Sequence, residues 1–313
     1  MPAAAYPHDL PLHLLFPLAS SVLYVAAALS LKRAAQGGAG VWRATFVMNL
    51  VAAVCFAVLL LDPSGKAGPG PKPLWQPAAI AGLFFGGQAF TMLALSRGDV
   101  SVATPVVGTK VIFVAFFATL LVGDRLLADY WVSAGMSVLG IAFLNLGGNG
   151  TGAAAGRHRH VVFTVVTSLA AAACFALFDV LVRMHAPAWG VSRLLPTIMA
   201  MAAVMSLALW PAFKGPLREM PRPARGPLML GSLFLGVQAV LLVRTLGLFP
   251  DTVRINVVYN TRGLWGVLAV WTVGHWWGNT ERHAGRAAFL WRMAGATLMV
   301  GAIVVAVVQP IGG

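Results

Sequence analysis

Residues 101–123 read SVATPVVGTKVIFVAFFATLLVG, a long apolar run with a single charge, Lys110, near its middle. A helix needs about 20 apolar residues to cross the hydrocarbon core of a bilayer. Nine further runs of the same kind lie around it, at 11–31, 43–61, 75–96, 129–146, 161–183, 194–213, 227–246, 253–275 and 288–308. Backbone amides and carbonyls in lipid must be satisfied within their own segment, so these runs are expected to be helices. Continuous hydropathy, rather than ten-residue alternation, argues against a transmembrane barrel. The reading is an all-α integral membrane protein of about ten transmembrane helices.

Composition agrees. The 313 residues are 59% hydrophobic and 10% charged, with a mean hydropathy of +0.81. A soluble domain carries about 25% charged residues, so this chain lacks the polar side chains to cover a water-facing surface. The net charge of +13 does not imply nucleic acid, because most basic residues sit in short gaps between runs, where they anchor helix ends. The first apolar stretch has no basic n-region and no small-residue cleavage site, so it reads as a retained helix rather than a signal peptide. Cys55 and Cys174 each lie inside an apolar run as small hydrophobes. Trp42, Trp75, Trp131, Trp210, Trp276, Trp277 and Trp291 fall near run ends, as an interfacial belt predicts, whereas Trp265 and Trp271 are expected to pack inside or line a cavity.

The gaps are short and full of helix breakers: DPSGKAGPGPKP at 62–73, GGNGTGAAAGRHRH at 147–160 and KGPLREMPRPARG at 214–226. The second divides the chain into a first five-helix unit, 1–148, a linker, 149–160, and a second unit, 161–313. These halves repeat. Phe85-Gly86-Gly87-Gln88-Ala89 resembles Leu235-Gly236-Val237-Gln238-Ala239 at an offset of 150, Thr109-Lys110 matches Thr261-Arg262 at 152, and Leu18-Ala19 with Lys32 match Leu169-Ala170 with Arg183 at 151. Five crossings per half make the second copy start from the opposite side. Inverted repeats of this kind build many secondary transporters, with the site at the midplane between halves.

Gly98-Asp99-Val100-Ser101, Pro105 and Gly123-Asp124-Arg125-Leu126, then Ala134-Gly135 to Gly140-Ile141 and Ala294-Gly295 to Gly301, resemble the drug/metabolite transporter superfamily, EamA type. In the second half Gly274-His275-Trp276-Trp277 replaces the acidic turn motif. The resemblance implies a ten-helix carrier with a central cavity between repeats, moving metabolites such as amino acids, organic acids or phosphorylated compounds, in a bacterial inner membrane. It also implies cytoplasmic termini. The charge count points the other way: Lys32, Arg33, Arg43, Arg97, Arg157, Arg159, Lys214, Arg218, Arg222, Arg225, Arg282 and Arg286 follow odd-numbered runs. Only Lys66, Lys72, Arg125, Arg183, Arg193, Arg244 and Arg254 fall near the other face, which puts the termini outside.

Lys110 and Arg262 are the sharpest chemical signal. A cation at the bilayer centre costs about 2.5–3.5 kcal/mol on insertion scales, so each needs a partner or a wet cavity. At matched depth they repel unless an anion lies between them, which points to an anionic group on the substrate; Lys110 paired with Asp179 is the structural alternative. Asp179 reads as a proton-coupling carboxylate, a counter-ion to Lys110, or an i,i+4 partner of Arg183. Thr252, Asn256, Tyr259 and Asn260 share one face of the ninth helix, and Thr104 and Gly108 match Asn256 and Asn260 at the same offset of 152. Gln88 with Gln238 is a further matched pair, reading substrate or gluing helices, and Tyr24 with Phe175 could flank the cavity. Pro105 is placed to kink the fourth helix, and Gly82 to Gly86 is a close-packing GxxxG. No HExxH, GxSxG or Walker A sequence is present, and the histidines lie mostly at ends or loops. No enzyme activity, cofactor, metal or nucleic acid is therefore expected. The partners are a small-molecule substrate, lipid, and protons or a counter-substrate, with a monomer or homodimer both compatible. The rivals are an exporter of neutral or cationic solutes with Lys110 neutralised by Asp179, an intramembrane enzyme, and a non-transporting scaffold.

Overall fold

The computed structural model describes residues 12–62, 73–97, 106–124, 128–146, 157–213, 215–273 and 286–308. Every regular element among them is helical. In chain order they are α1 Leu15–Gln36, α2 Val41–Ala57, α3 Trp75–Arg97, α4 Lys110–Phe117, α5 Ala128–Leu146, α6 Arg157–Trp189, α7 Val191–Met205, α8 Arg222–Leu248, α9 Thr252–Tyr259, α10 Arg262–Val273 and α11 Arg286–Val308. Six helical stretches are long and apolar enough to cross a bilayer: Leu12–Gln36, Val41–Leu61, Trp75–Ala94, Val162–Trp189, Val191–Ala212 and Arg222–Leu248. Val106–Val122 and Met293–Ala306 are shorter apolar helices. The chain is an integral multi-pass membrane protein with an all-helical fold. Thr104, Pro105, motif residues 98–101 and 274–277, and linker residues 149–156 lie outside the described residues. Residues 157–160, read as linker, already belong to α6.

The surface is apolar where a soluble protein would be polar. Leu61 is 81% exposed, Val54 70% and Leu120 65%, and lipid is the solvent that accommodates them. Inside, Phe56, Ile80, Phe178, Leu194, Leu195 and Ile198 form one continuous core joining both halves of the sequence.

The neighbour relations show a two-fold plan. The first span packs on the eighth (α1 on α8), and the sixth packs on the third (α6 on α3). The second packs on the eighth and the seventh on the third; the fourth packs on the sixth (α4 on α6) and the ninth on the first (α9 and α10 on α1). Exchanging the two sets of five spans maps each of these contacts onto another. The fifth and tenth spans, α5 and α11, pack on each other, and so do α2 and α7, as pairs lying across such an axis must. Local geometry repeats as well. Gly40 before α2 has φ 75° and ψ 135°, and Gly190 before α7 has φ 76° and ψ 129°. Only glycine adopts this backbone readily, and each sits where the chain turns sharply between consecutive spans. Small residues let α5 and α11 touch: a Cβ on Gly140 would stand 2.9 Å from the Gly295 carbonyl oxygen.

Candidate functional site

The fourth and ninth spans are irregular at the same repeat position. Val106–Gly108 is helical, the ladder breaks at Thr109, and α4 begins at Lys110. Likewise α9 ends at Tyr259, Asn260 and Thr261 form a turn, and α10 begins at Arg262. The cause is local. Thr109 Oγ1 donates to the Val106 carbonyl at 2.6 Å, and Thr261 Oγ1 donates to the Val258 carbonyl at 2.8 Å. Both threonine amides bond the same carbonyls, three residues back, at 3.1 Å. A hydroxyl competing for a helical carbonyl tightens the turn towards 3₁₀ and bends the helix. Each break is therefore followed at once by a basic residue.

The two cations are held differently. Lys110 Nζ sits 2.6 Å from Asp179 Oδ2, and both residues are buried. Asp179 also interacts with the Asn256 amide and lies within electrostatic reach of Arg262. The half-buried Arg262 guanidinium carbon stands 4.7 Å from the Tyr259 ring centroid and 4.9 Å from that of Tyr24. The two rings meet edge to face at 6.1 Å. Among the described residues, no carboxylate oxygen comes within 4.0 Å of Arg262. Two cations and one carboxylate leave this cluster one positive charge in excess.

The pseudo-symmetry axis passes through the same place. Gly108 and Asn260 are repeat equivalents, and Asn260 Nδ2 donates to the Gly108 carbonyl at 3.4 Å and to Ser137 Oγ at 3.0 Å. Equivalent residues that touch must lie beside the axis. Lys110, Arg262, Tyr259, Asn260, Asn256, Tyr24 and Asp179 are thus brought into one neighbourhood. Asn256 also donates to the Thr252 carbonyl at 3.0 Å. Two matched residues stand apart. Gln238 accepts at Oε1 from Ser20 at 2.9 Å, tying α8 to α1. Phe175, the counterpart of Tyr24, lies over Gly87, where an added Cβ would meet its ring at 2.9 Å. Gln88 lies on α3 with a buried Oε1 that has no hydrogen-bond partner among the described residues. Trp265, one turn beyond Arg262, carries a buried indole N–H with no acceptor among them.

Sequence reading missed a second polar cluster. His13 Nε2 lies 2.8 Å from Asp251 Oδ2, Arg254 Nη1 lies 3.7 Å from the same oxygen, and Arg254 Nη2 donates to the Tyr130 hydroxyl at 3.0 Å. The signal that could have found it is Asp251 three residues before Arg254, at the head of the ninth span. Arg183, the sequence partner offered for Asp179, instead forms a two-pronged ion pair with Asp124, its Nη2 lying 3.0 Å from Oδ1. That leaves Asp179 to Lys110.

Residues 12–146 match the model of the EamA-like transporter family, which belongs to the drug/metabolite transporter superfamily. No curated protein matches the chain. A solved structure described only as "Crystal structure of protein" superposes with a TM-score of 0.75 at 18% identity, covering 96% of this chain and 99% of its own. At that identity the likeness is one of fold alone, and it spans both halves of the chain. EamA-like proteins are membrane transporters of small solutes, and residues 12–146 are similar to them.

Proposed function

We propose that the protein is a secondary carrier for a small anionic or zwitterionic metabolite, working by alternating access between two inverted halves, 1–148 and 161–313, joined by the linker 149–160. The observation that carries this reading is Arg262 at the start of α10, facing aromatic rings rather than a carboxylate. Helix N-termini favour negative charge, and discontinuous helices at the midplane are the usual cradle for such a group. A guanidinium can grip a carboxylate or phosphate through two parallel hydrogen bonds. Tyr24 and Tyr259 hold it in place of a protein acid, so the substrate supplies the missing negative charge.

Lys110 and Asp179 then have a separate role. A zwitterion can exchange its ammonium with Lys110 at the Asp179 carboxylate, and a proton can do the same. One specific observation supports the rival reading of a neutral or cationic substrate: the Lys110–Asp179 pair already cancels one of the two cations. The residual charge on Arg262 repels a cation, which favours the anionic reading. Flux into proteoliposomes separates them. Wild-type protein should carry small carboxylates, phosphates or amino acids, and Arg262→Ala should lower their apparent affinity about 100-fold, with Arg262→Lys in between. Unchanged anion affinity in a folded Arg262→Ala protein sinks the proposal, and cation flux with no anion flux installs the rival.

A further inference from the structure

Consecutive spans alternate direction, so the ends of even-numbered spans share a face with the starts of odd-numbered ones. That face holds the start of α1 and the α8–α9 junction. Three ion pairs there join one half of the chain to the other: His13 with Asp251, Asp124 with Arg183, and Asp62 with Arg244 at 3.1 Å. Among the described residues, every ion pair other than Lys110–Asp179 lies at this face. The His13 cluster is the most enclosed. Asp251 and Arg254 side chains are 4% and 3% exposed, and His13 is 14% exposed at the rim. The imidazole stacks on Phe249 at 4.3 Å. Beneath the cluster, Leu14, Leu246, Ile255 and Val258 pack down to Tyr259, which touches Arg262. Between this face and Arg262 thus lie first the charged cluster and then this apolar packing.

We propose that His13, Asp251, Arg254 and Tyr130 form a latch that closes the terminal-face mouth of the carrier. The proposal rests on the alternating-access reading and adds a gate to it. His13 holds the Asp251 carboxylate from the first half of the chain, while Arg254 flanks it from the second and reaches the Tyr130 hydroxyl. The charged and titratable groups facing His13 among the described residues are Asp251 and Arg254 from the second half, with Tyr130 of α5 beyond Arg254. The imidazole face is covered by Phe249.

The test reads access to the mouth without any substrate. A reporter, Val258→Cys, is placed between latch and site in a chain carrying Cys55→Ala and Cys174→Ala. Its labelling by a membrane-impermeant maleimide is timed on intact protein. Loss of a hydrogen bond between charged groups shifts an equilibrium by roughly 10- to 100-fold, and His13→Ala and Asp251→Asn should speed labelling by that order. His13→Gln, which keeps a hydrogen-bond donor, should label more slowly than His13→Ala. Equal rates for the His13 and Asp251 variants and the parent overturn the latch. If Asp251→Asn fails to fold, the two His13 variants decide alone. A protein that labels as expected but carries no anion would sink the substrate reading and leave the latch standing.

Discussion

Lys110 and Arg262 occupy equivalent positions, each just after a threonine that breaks its helix, yet their surroundings have diverged. The sixth span gives Lys110 a carboxylate, Asp179, at 2.6 Å. The first span, its repeat counterpart, gives Arg262 the ring of Tyr24 at 4.9 Å. A carboxylate neutralises a cation, whereas an aromatic face steadies it and leaves its charge in place. Duplication thus supplied two similar backbone frames, and substitution on the neighbouring helices made one cation part of an internal ion pair and set the other against aromatic rings.

The largest effect that could break this contrast is on stability. Removing one partner of a buried ion pair leaves an uncompensated charge and costs about 3–5 kcal/mol. Lys110→Met should lower the thermal midpoint in detergent sharply, and adding Asp179→Leu should restore most of the loss, since replacing both members of such a pair is often neutral. Arg262→Met leaves no buried carboxylate behind and should cost far less. If the Lys110 single and double variants melt together, Asp179 is not held by Lys110 and the contrast fails.

A smaller effect sharpens the other side. Cation–π contacts contribute about 0.5–2 kcal/mol each, so Tyr24→Leu should weaken anion binding several-fold while Tyr24→Phe, which keeps the ring, should leave it nearly unchanged. Titration of the purified carrier by calorimetry measures both. Equal losses for Leu and Phe would mean that the hydroxyl, not the ring, does the holding.

The parts of this arrangement legible in the sequence are those set by lipid and by duplication. Ten apolar runs announce the spans because the bilayer core tolerates little else, and Thr109-Lys110 against Thr261-Arg262 announces matched cations because both halves kept the pair. Hydropathy marks the bilayer rather than the helix, however, so α6 runs on through Arg183 and His185 to Trp189, six residues beyond its apolar run. Partner choice was legible only as alternatives, with Lys110 and Arg183 both offered to Asp179. Asp179 and Arg183 stand one turn apart and look like a local pair, but the rotation of α6 sends Asp179 to Lys110 and Arg183 to Asp124. Rotation about a helix axis is fixed by packing between spans, which no single span encodes. The His13–Asp251 contact joins residues 238 positions apart, and only the two-fold packing of α1 against the second half brings them together.

The smallest predicted effect tests whether the two breaks are equivalent. Each threonine hydroxyl bonds a carbonyl three residues back, but Thr261 Oγ1 has a second partner, Ser21 Oγ at 2.9 Å on α1. A neutral hydrogen bond contributes about 0.5–1.5 kcal/mol net. Thr109→Val should therefore lose only the local bond, whose absence lets the carbonyl return to the helical ladder, and stability should change by a few tenths of a kcal/mol. Thr261→Val loses the same bond and also leaves Ser21, which retains the Leu18 carbonyl at 2.6 Å, without its link to the ninth span; it should cost about 1 kcal/mol more. Ser21→Ala made in the Thr261→Val background should then add little, because the two hydroxyls act through one contact. Thermal midpoints of the three variants decide it: if Thr109→Val and Thr261→Val cost the same, the first span does not tether the ninth. The asymmetry between the cations would then begin at their side chains alone rather than at the helix breaks that precede them.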